Sequence, residues 1–404
     1  MGESPLFLGK MAKEKMREDG VILNPEESSS VKTVAIDLKR MNRRRIYNLL
    51  RSGTPVSRRD IVMQLNLSLP TVVQNLNELM EDGLICVAGQ QNKTGGRRAK
   101  TYTSVNDFRT AIGLDVTTHD VGAVAVDLCG HILARKRLKL PFVRSAEYYR
   151  NLGRLVDDLA LTAGLDLDHV LGVGISVPCL TEKNGTHSYY CKALGGTDEL
   201  FAWDFAAYIP FPVRLCHDTD TSAFAESWAW PDHGDFFYLM LSNSIGGAVF
   251  INGDLYSGDN CRSCEVGHTQ LVRDGKRCYC GRSGCADGYC STKPLAAITG
   301  GDVPEFFRRL AEKEPVAKAA WQEYLGYLAQ LIHNVHMLYD CQVVLGGQIG
   351  QRLETNDLDF LCARLAAMDP FIESADYVTV CKAKVESAAV GAAISFIGQY
   401  VSSI

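Results

Sequence analysis

The chain has 404 residues, 46% hydrophobic and 22% charged, with a formal net charge of −5 at pH 7. That length allows two or three domains with ample buried core, the composition is ordinary for a soluble globular protein, and no apolar run reaches the roughly 18 residues of a membrane helix. The charge is uneven: Lys39 to Lys100 holds twelve Lys or Arg against four acids, a segment of +8 in a chain whose remainder is −13, which points to a polyanionic partner for that segment alone.

Residues 1–30 mix charges with Gly, Pro and a Ser-Ser-Ser run and read as a loosely docked tail. They lack the apolar stretch of a signal peptide, and residue 6 is Leu where a myristoylation signal has Ser or Thr, so a cytoplasmic protein is expected. Residues 31–105 read as a winged helix-turn-helix. Ile46, Leu49 and Leu50 mark a first helix over 42–50. Ser57 is the expected N-cap of a second helix, with Asp60 at the capping-box position. Asn66-Leu67 makes the turn, and Ser68 caps a third helix with Pro70 in its first turn and Val72, Val73, Leu76, Leu79 and Met80 as its buried stripe. A strand from Leu84, a polar loop containing Gly95-Gly96-Arg97-Arg98 and a return through Thr101-Tyr102-Thr103 form the wing. Ser68, Thr71, Gln74 and Asn75 are placed to reach base edges in a major groove. Arg43 and Arg58, with Arg44, Arg45 and Arg59, are placed to meet phosphates, and Arg97 and Arg98 to enter a minor groove.

From Ala111 the pattern becomes α/β. Strands are expected over 112–116, 121–128 and 131–140, a helix over 148–163, a buried strand over 170–177 and a further strand from Val213 that ends in His217-Asp218. After a helix over 221–230, the β–turn–β pattern restarts at 236–242 and 248–251, which suggests a second lobe of related design with a cleft between the two. Helical sequence over 316–337, a strand over 343–347 and a last helix over 388–400 complete it. The expected division is lobe 1 over 106–230, completed by 386–404, and lobe 2 over 231–385.

Lobe 2 carries the densest chemistry. Cys261 to Cys290 holds six cysteines and His268 in thirty residues. Cys278, Cys280 and Cys285 surround a turn that Gly281 and Gly284 allow, and with His268 they make a full set for tetrahedral zinc. Disulfides and unpaired core cysteines are the competing readings. The tight Cys-x-Cys-Gly-x-x-Gly-Cys spacing and a reducing compartment favour metal, with Cys261, Cys264 and Cys290 as bystanders.

These residues resemble the ROK family, the repressors and sugar kinases of the actin-like ATPase superfamily, over roughly 40–400. The resemblance rests on Gly172-Val-Gly-Ile-Ser-Val-Pro178, His217-Asp218, Cys264-Glu-Val-Gly-His268, the cysteine loop and Val344-Leu-Gly-Gly347. The helix-turn-helix selects the repressor branch, that of the xylose and N-acetylglucosamine repressors. The resemblance implies an N-terminal winged helix-turn-helix followed by a two-lobed actin-like (ribonuclease H-like) domain. It puts Asp218 at the kinases' catalytic-base position and makes Asp218, Glu265, His268 and Asp287 the sugar ligands, with His268 shared between zinc and sugar.

The departures argue against catalysis. The kinases follow the first strand's Asp with Gly-Gly-Thr, where this chain has Val-Thr-Thr-His after Asp115. Their second phosphate loop reads Gly-Thr-Gly-Ile-Gly, here Ser-Asn-Ser-Ile-Gly at 242–246, and their Asn before the catalytic Asp is His217. Phosphoryl transfer needs positioned phosphates and Mg²⁺, so the expectation is a non-catalytic sensor. It would be a sugar-responsive repressor of carbohydrate genes, a homodimer or dimer of dimers bound to operator DNA, with structural Zn²⁺. A ROK sugar kinase, possibly bifunctional, and an architectural DNA-binding protein are the alternatives.

Overall fold

The structure, a computed structural model, describes residues 25–404 apart from 52, 92–98, 196–198, 231–232 and 385; side chains are described from residue 38 onward, those of 90, 91 and 99 excepted. The first helix, α1 (Pro25–Leu50), starts well before the expected residue 42 and takes in the end of the expected tail, whose residues 1–24 lie outside the described ones. Pro25 costs little in a first turn, where its missing N–H has no helical partner. A short strand β1 (Val56–Ser57) leads into α2 (Arg58–Leu65). The Ser57 hydroxyl accepts the Asp60 N–H and donates to the Asp60 carboxylate at 2.7 Å, and left-handed Asn66 ends the helix. Ser68 caps α3 (Leu69–Glu81) by accepting from the Thr71 N–H, with Pro70 in the first turn. Strands β2 (Ile85–Gln91) and β3 (Ala99–Ser104) pair antiparallel, and the sheet order is β1-β3-β2. The loop between them, with Arg97 and Arg98, lies outside the described residues. Ile46, Tyr47, Leu50, Ile61, Val72, Leu76, Leu79 and Tyr102 are fully buried and close this module's core.

Two five-stranded sheets follow, built to one plan. In the first, β4 (Thr110–Val116), β5 (Val121–Asp127) and β6 (Ile132–Leu138) form an antiparallel meander. Helix α4 (Ala146–Ala163) crosses over to β7 (Val170–Val177), parallel to β4. A small antiparallel sheet of β8 (Leu180–Thr181), β9 (His187–Tyr189) and β10 (Glu199–Phe201) and the short α5 (Ala202–Ala206) intervene. Then β11 (Val213–His217) adds parallel to β7, giving the order β11-β7-β4-β5-β6. Helix α6 (Asp218–Ala229) leads to the second lobe.

There β12 (Phe236–Leu241), β13 (Ile245–Ile251) and β14 (Asp254–Leu255) repeat the meander. Helices α7 (Asp287–Cys290), α8 (Lys293–Ala296), α9 (Val303–Ala311) and α10 (Pro315–Tyr339) precede β15 (Gln342–Gly346), parallel to β12. After α11 (Gly347–Gly350) and α12 (Thr355–Met368), β16 (Val378–Val380) pairs parallel to β15, and the order is β14-β13-β12-β15-β16. This is the repeat announced by the restart at Phe236. The last helix, α13 (Ser387–Ser403), returns to pack on β4 and β7 of the first sheet. The backbone of Ala389 and Ala392 stands where side chains of Gly113 and Gly174 would be, so glycine is what admits the helix so close. The central strands of each sheet (β4, β5 and β7; β12, β13 and β15) are apolar on both faces, as strands covered by helices must be. Ile112, Leu114 and Val173 pack on Leu152 and Val156 of α4, while Leu239, Val343 and Leu345 pack on Leu328 and Ile332 of α10.

The small sheet β8–β10 and helices α9 and α12 were not among the expected elements. α9 has an Asp302 cap, and α12 has a capping box between Glu354 and Asp357. Among the described residues no helix is long and apolar enough to cross a membrane.

Candidate functional site

The cysteine loop folds into a knuckle. Gly281 (φ +93°) and Gly284 (φ +81°) take the left-handed turns that the sequence required of them, and the carbonyl of Val272 fills the space a Gly284 side chain would need. The Cys278 N–H donates to Arg282 O and the Gly281 N–H to Cys278 O, closing the turn. As a result His268, Cys278, Cys280 and Cys285 present one donor atom each, all within 4.8 Å of one another. Cys278 Sγ is 3.7 Å from His268 Nδ1, and Cys280 Sγ is 3.8 Å from Cys285 Sγ. A tetrahedron with Zn–S bonds of about 2.3 Å has S···S edges of about 3.8 Å. Both distances lie close to that figure, and the four donors are near enough together to hold a tetrahedral metal ion. The other ring nitrogen of His268, Nε2, is 3.2 Å from the Tyr279 hydroxyl. Tyr279 lies between two of the cysteines, and their spacing carries no signal for its role.

Four polar groups gather at the carboxyl end of β11. Asp218 opens α6, and His217 before it lies 3.4 Å from Asp218 Oδ1 and 3.7 Å from Asp220 Oδ1. Burial lowers the affinity of His217 for a proton, but the carboxylates of Asp220, Asp218 and Glu265 outweigh it and raise its pKa to about 10. Burial in turn pushes Asp218 and Glu265 above the usual carboxylate range, against the pull of the His217 charge and, for Glu265, that of His268. His217, His268 and Asp218 thus act on Glu265 through their charges, but of the four expected sugar ligands only Asp218 lines the cleft between the lobes.

Asp287 is not part of this group. It is 2% exposed, and its carboxylate accepts the Ile245 N–H at 3.1 Å and the Lys293 ammonium at 2.9 Å. Ala286, Tyr289 and Cys290 around it are buried in the second lobe and draw it inward, where it braces the turn before β13.

Between the lobes runs a cleft of about 1180 Å³, lined by Asp115, Thr117, Thr118 and Asp218 on one side and Ser242, Asn243, Tyr279 and Lys293 on the other. Arg137, from β6, reaches across its floor. Its guanidinium pairs with Asp120 at 2.6 Å, with Glu386 at 2.5 Å and with Asp115 at 3.6 Å. Burial lifts the Asp115 carboxyl to about 7, although Arg137 pulls it down.

In the helical module, Ser68 and Gln74 are exposed and Thr71 half-buried on the face of α3 that begins at its N-terminus. Gln74 Nε2 donates to Glu78 Oε1 at 3.1 Å. Two expected DNA contacts are placed otherwise. Asn75 is 2% exposed and donates to the Thr71 carbonyl at 2.8 Å, because it lies three residues after Val72 and four before Leu79, on the inward stripe. Arg43 is held by Glu78 at 3.6 Å and by Asp82, which occupies its charge within the module. Arg58 lies over the Tyr102 ring at 5.4 Å. Arg44, Arg59 and Lys100 remain exposed cations.

Residues 111–398 match the model of the ROK family. The chain is 25% identical over 272 residues to the xylose repressor of Bacillus subtilis (64% of this chain, 67% of that protein). It is 26% identical over 260 residues to the N-acetylglucosamine repressor of Escherichia coli O157:H7 (62% of this chain, 63% of that protein). The match thus spans about two thirds of the length of these relatives, or slightly less. Among solved structures, a ROK family transcriptional regulator, a homologue of the E. coli MLC protein, superposes with a TM-score of 0.70 at 19% identity over 91% of this chain and 100% of that one. A ROK hexokinase from Thermus thermophilus superposes with a TM-score of 0.59 at 21% identity over 71% of this chain and 97% of that one. These likenesses carry the fold, and both a regulator and a kinase share it.

Proposed function

The chain belongs to the ROK family, and from that premise we propose that it is a sugar-responsive transcriptional repressor of carbohydrate genes. It acts in the cytoplasm as a homodimer or dimer of dimers. The observation that carries the reading is a helix-turn-helix module docked on a two-lobed cleft whose polar groups suit a polyhydroxylated ligand. α3 enters the major groove by its N-terminal end, where Ser68, Thr71 and Gln74 read base edges. Arg44, Arg59 and Lys100 meet phosphates, and Arg97 and Arg98 meet a minor groove. A sugar binds between the lobes, with Asp218 and Glu265 accepting from its hydroxyls and His268 completing the contact. Lobe closure then re-spaces the two DNA-reading modules of the dimer, and HTH dimers tolerate little change from the roughly 34 Å half-site spacing.

Zn²⁺ is the metal we assign to His268, Cys278, Cys280 and Cys285. When bound it supplies no chemistry here beyond fixing the loop that carries Glu265 and His268.

Catalysis is disfavoured by one feature of this chain: Arg137 ties Asp115, Asp120 and Glu386 together on the floor of the cleft. The kinase reading keeps its support from the shared fold. A thermal-shift screen of D-glucose, D-xylose, N-acetyl-D-glucosamine and their phosphates, with and without Mg-ATP, separates the two. Stabilisation by a sugar without ATP turnover supports the sensor. Turnover that Asp218→Asn abolishes would establish the kinase.

A further inference from the structure

Helix α6 touches all three parts of the molecule. Its first residue, Asp218, faces the cleft. On one side Thr219 and Ser222 meet the Met240 sulfur of β12 at 4.0 and 3.9 Å, and the Thr219 hydroxyl fills the space a Gly246 side chain would need. On the other side the Thr221 carbonyl stands where a side chain of Gly391, in α13, would be. Glu226, fully buried, accepts the backbone N–H groups of Lys382 at 2.9 Å and Ala383 at 2.8 Å. Contacts this close leave α6 little freedom to bend.

At its far end, ten residues and about 15 Å along the axis from Asp218, α6 meets the helical module. The Arg51 guanidinium, in the residue after α1, lies 3.7 Å over the Trp228 ring. A single turn between β5 and β6 locks the pair. Arg51 Nη1 donates to Leu128 O at 3.2 Å, the Cys129 thiol donates to Arg51 O at 3.1 Å, and Trp228 Nε1 donates to Cys129 O at 2.7 Å. From Arg51, α1 runs to the DNA-reading helix, joined to it by Arg43 through Glu78 and Asp82.

We infer that Arg51 and Trp228 are the residues through which occupancy of the cleft at Asp218 changes the pose of the DNA-reading helix, with α6 as the rod between them. The inference rests on the repressor reading given above. A ligand that draws Asp218 toward the second lobe tilts α6 about its close contacts, and the displacement emerges at Trp228. An Arg over an indole is attractive only within about 6 Å of the ring centroid and with the cation above the face. A small tilt therefore exchanges a locked module for a freed one, as packed interfaces switch between discrete arrangements.

The test is the coupling between sugar and DNA in the full chain. A labelled duplex selected from a random pool by the protein itself is titrated with and without D-glucose, D-xylose, N-acetyl-D-glucosamine or glucose 6-phosphate. In the wild type the effective sugar changes the DNA Kd by about tenfold or more, within the usual range of allosteric coupling. Arg51→Gln and Trp228→Phe reduce that factor to about twofold or less by moving unliganded DNA affinity toward the sugar-bound value, while sugar binding is not weakened and zinc content stays near wild type. Arg51→Lys, which keeps the charge and the fold but loses the planar stack, retains only part of the coupling. Coupling kept in full by Arg51→Gln and Trp228→Phe would overturn the inference while leaving the repressor reading intact. A wild type whose DNA affinity responds to none of these sugars would remove that reading, and the inference with it.

Discussion

The Nε2 of His268 lies 3.2 Å from the Tyr279 hydroxyl, while its Nδ1 faces Cys278 and the other metal donors. If His268 serves metal and sugar with its two nitrogens, the Tyr279 hydroxyl competes with a sugar hydroxyl for Nε2. Replacing Tyr279 with Phe removes a competitor worth about 0.5–1.5 kcal/mol, so sugar affinity rises roughly two- to tenfold. Isothermal titration with the sugars named above measures it, alongside metal analysis to show that zinc is retained. Weaker binding in Tyr279→Phe would mean that the phenol assists the ligand instead.

Metal analysis of the purified protein gives about one zinc per chain. Cys285→Ser loses it, and strong chelation of the wild type lowers its melting temperature because a ligand bound only to the folded state is withdrawn. A folded, metal-free wild type with an unchanged melting temperature would refute the cluster as a zinc site.

Asp115 sets a pH dependence. Its folded pKa is raised to about 7 by burial, above the value of an exposed Asp. The folded chain thus holds a proton that the unfolded chain releases, so this contribution to stability is complete below about pH 4 and lost as pH rises through about 7. Asp115→Asn removes the loss. It is more stable than wild type at pH 8, by about 1–3 kcal/mol once the missing Arg137 partner is discounted, and the gain shrinks toward pH 4. Chemical denaturation at the two pH values checks it; a gain that is the same at both would remove Asp115 as the cause.

On the DNA side, Arg59→Ala and Arg44→Ala each lower the salt slope of DNA binding by about one. Arg43→Ala leaves the slope nearly unchanged, because its charge is already matched by Glu78 and Asp82. Gln74→Ala costs about 1–3 kcal/mol on the preferred sequence and little on others. A full unit of slope lost with Arg43 would mean that its ion pairs open on DNA.

Much of this molecule was legible because its signals are local. Ser57 and Ser68 announce their helices by the residues that follow them. The strand over 170–177 carries no charge and five of its eight residues are Val, Leu or Ile, and the cysteine spacing fixes its own turn. Asn75, Arg43 and Asp287 were misplaced because their partners come from elsewhere in the fold. Arg43 meets acids 35 and 39 residues away, and Asp287 meets the backbone of Ile245 in another strand. Asn75 was the avoidable one, since it lies on the same helical stripe as Val72 and Leu79. Arg137 had no signal at all: β6 looks like any exposed strand until the fold lays it against Asp115 and Glu386.

The central claim is that ligand in the cleft controls DNA binding. The most direct measurement is a fluorescence-anisotropy titration of the wild-type chain on its selected duplex, at fixed salt, with and without each sugar. The account predicts that one sugar weakens DNA binding by about tenfold or more, and that Asp218→Asn, which keeps DNA affinity, loses the response. DNA affinity untouched by every sugar, in a protein that each is shown by calorimetry to bind, would contradict it.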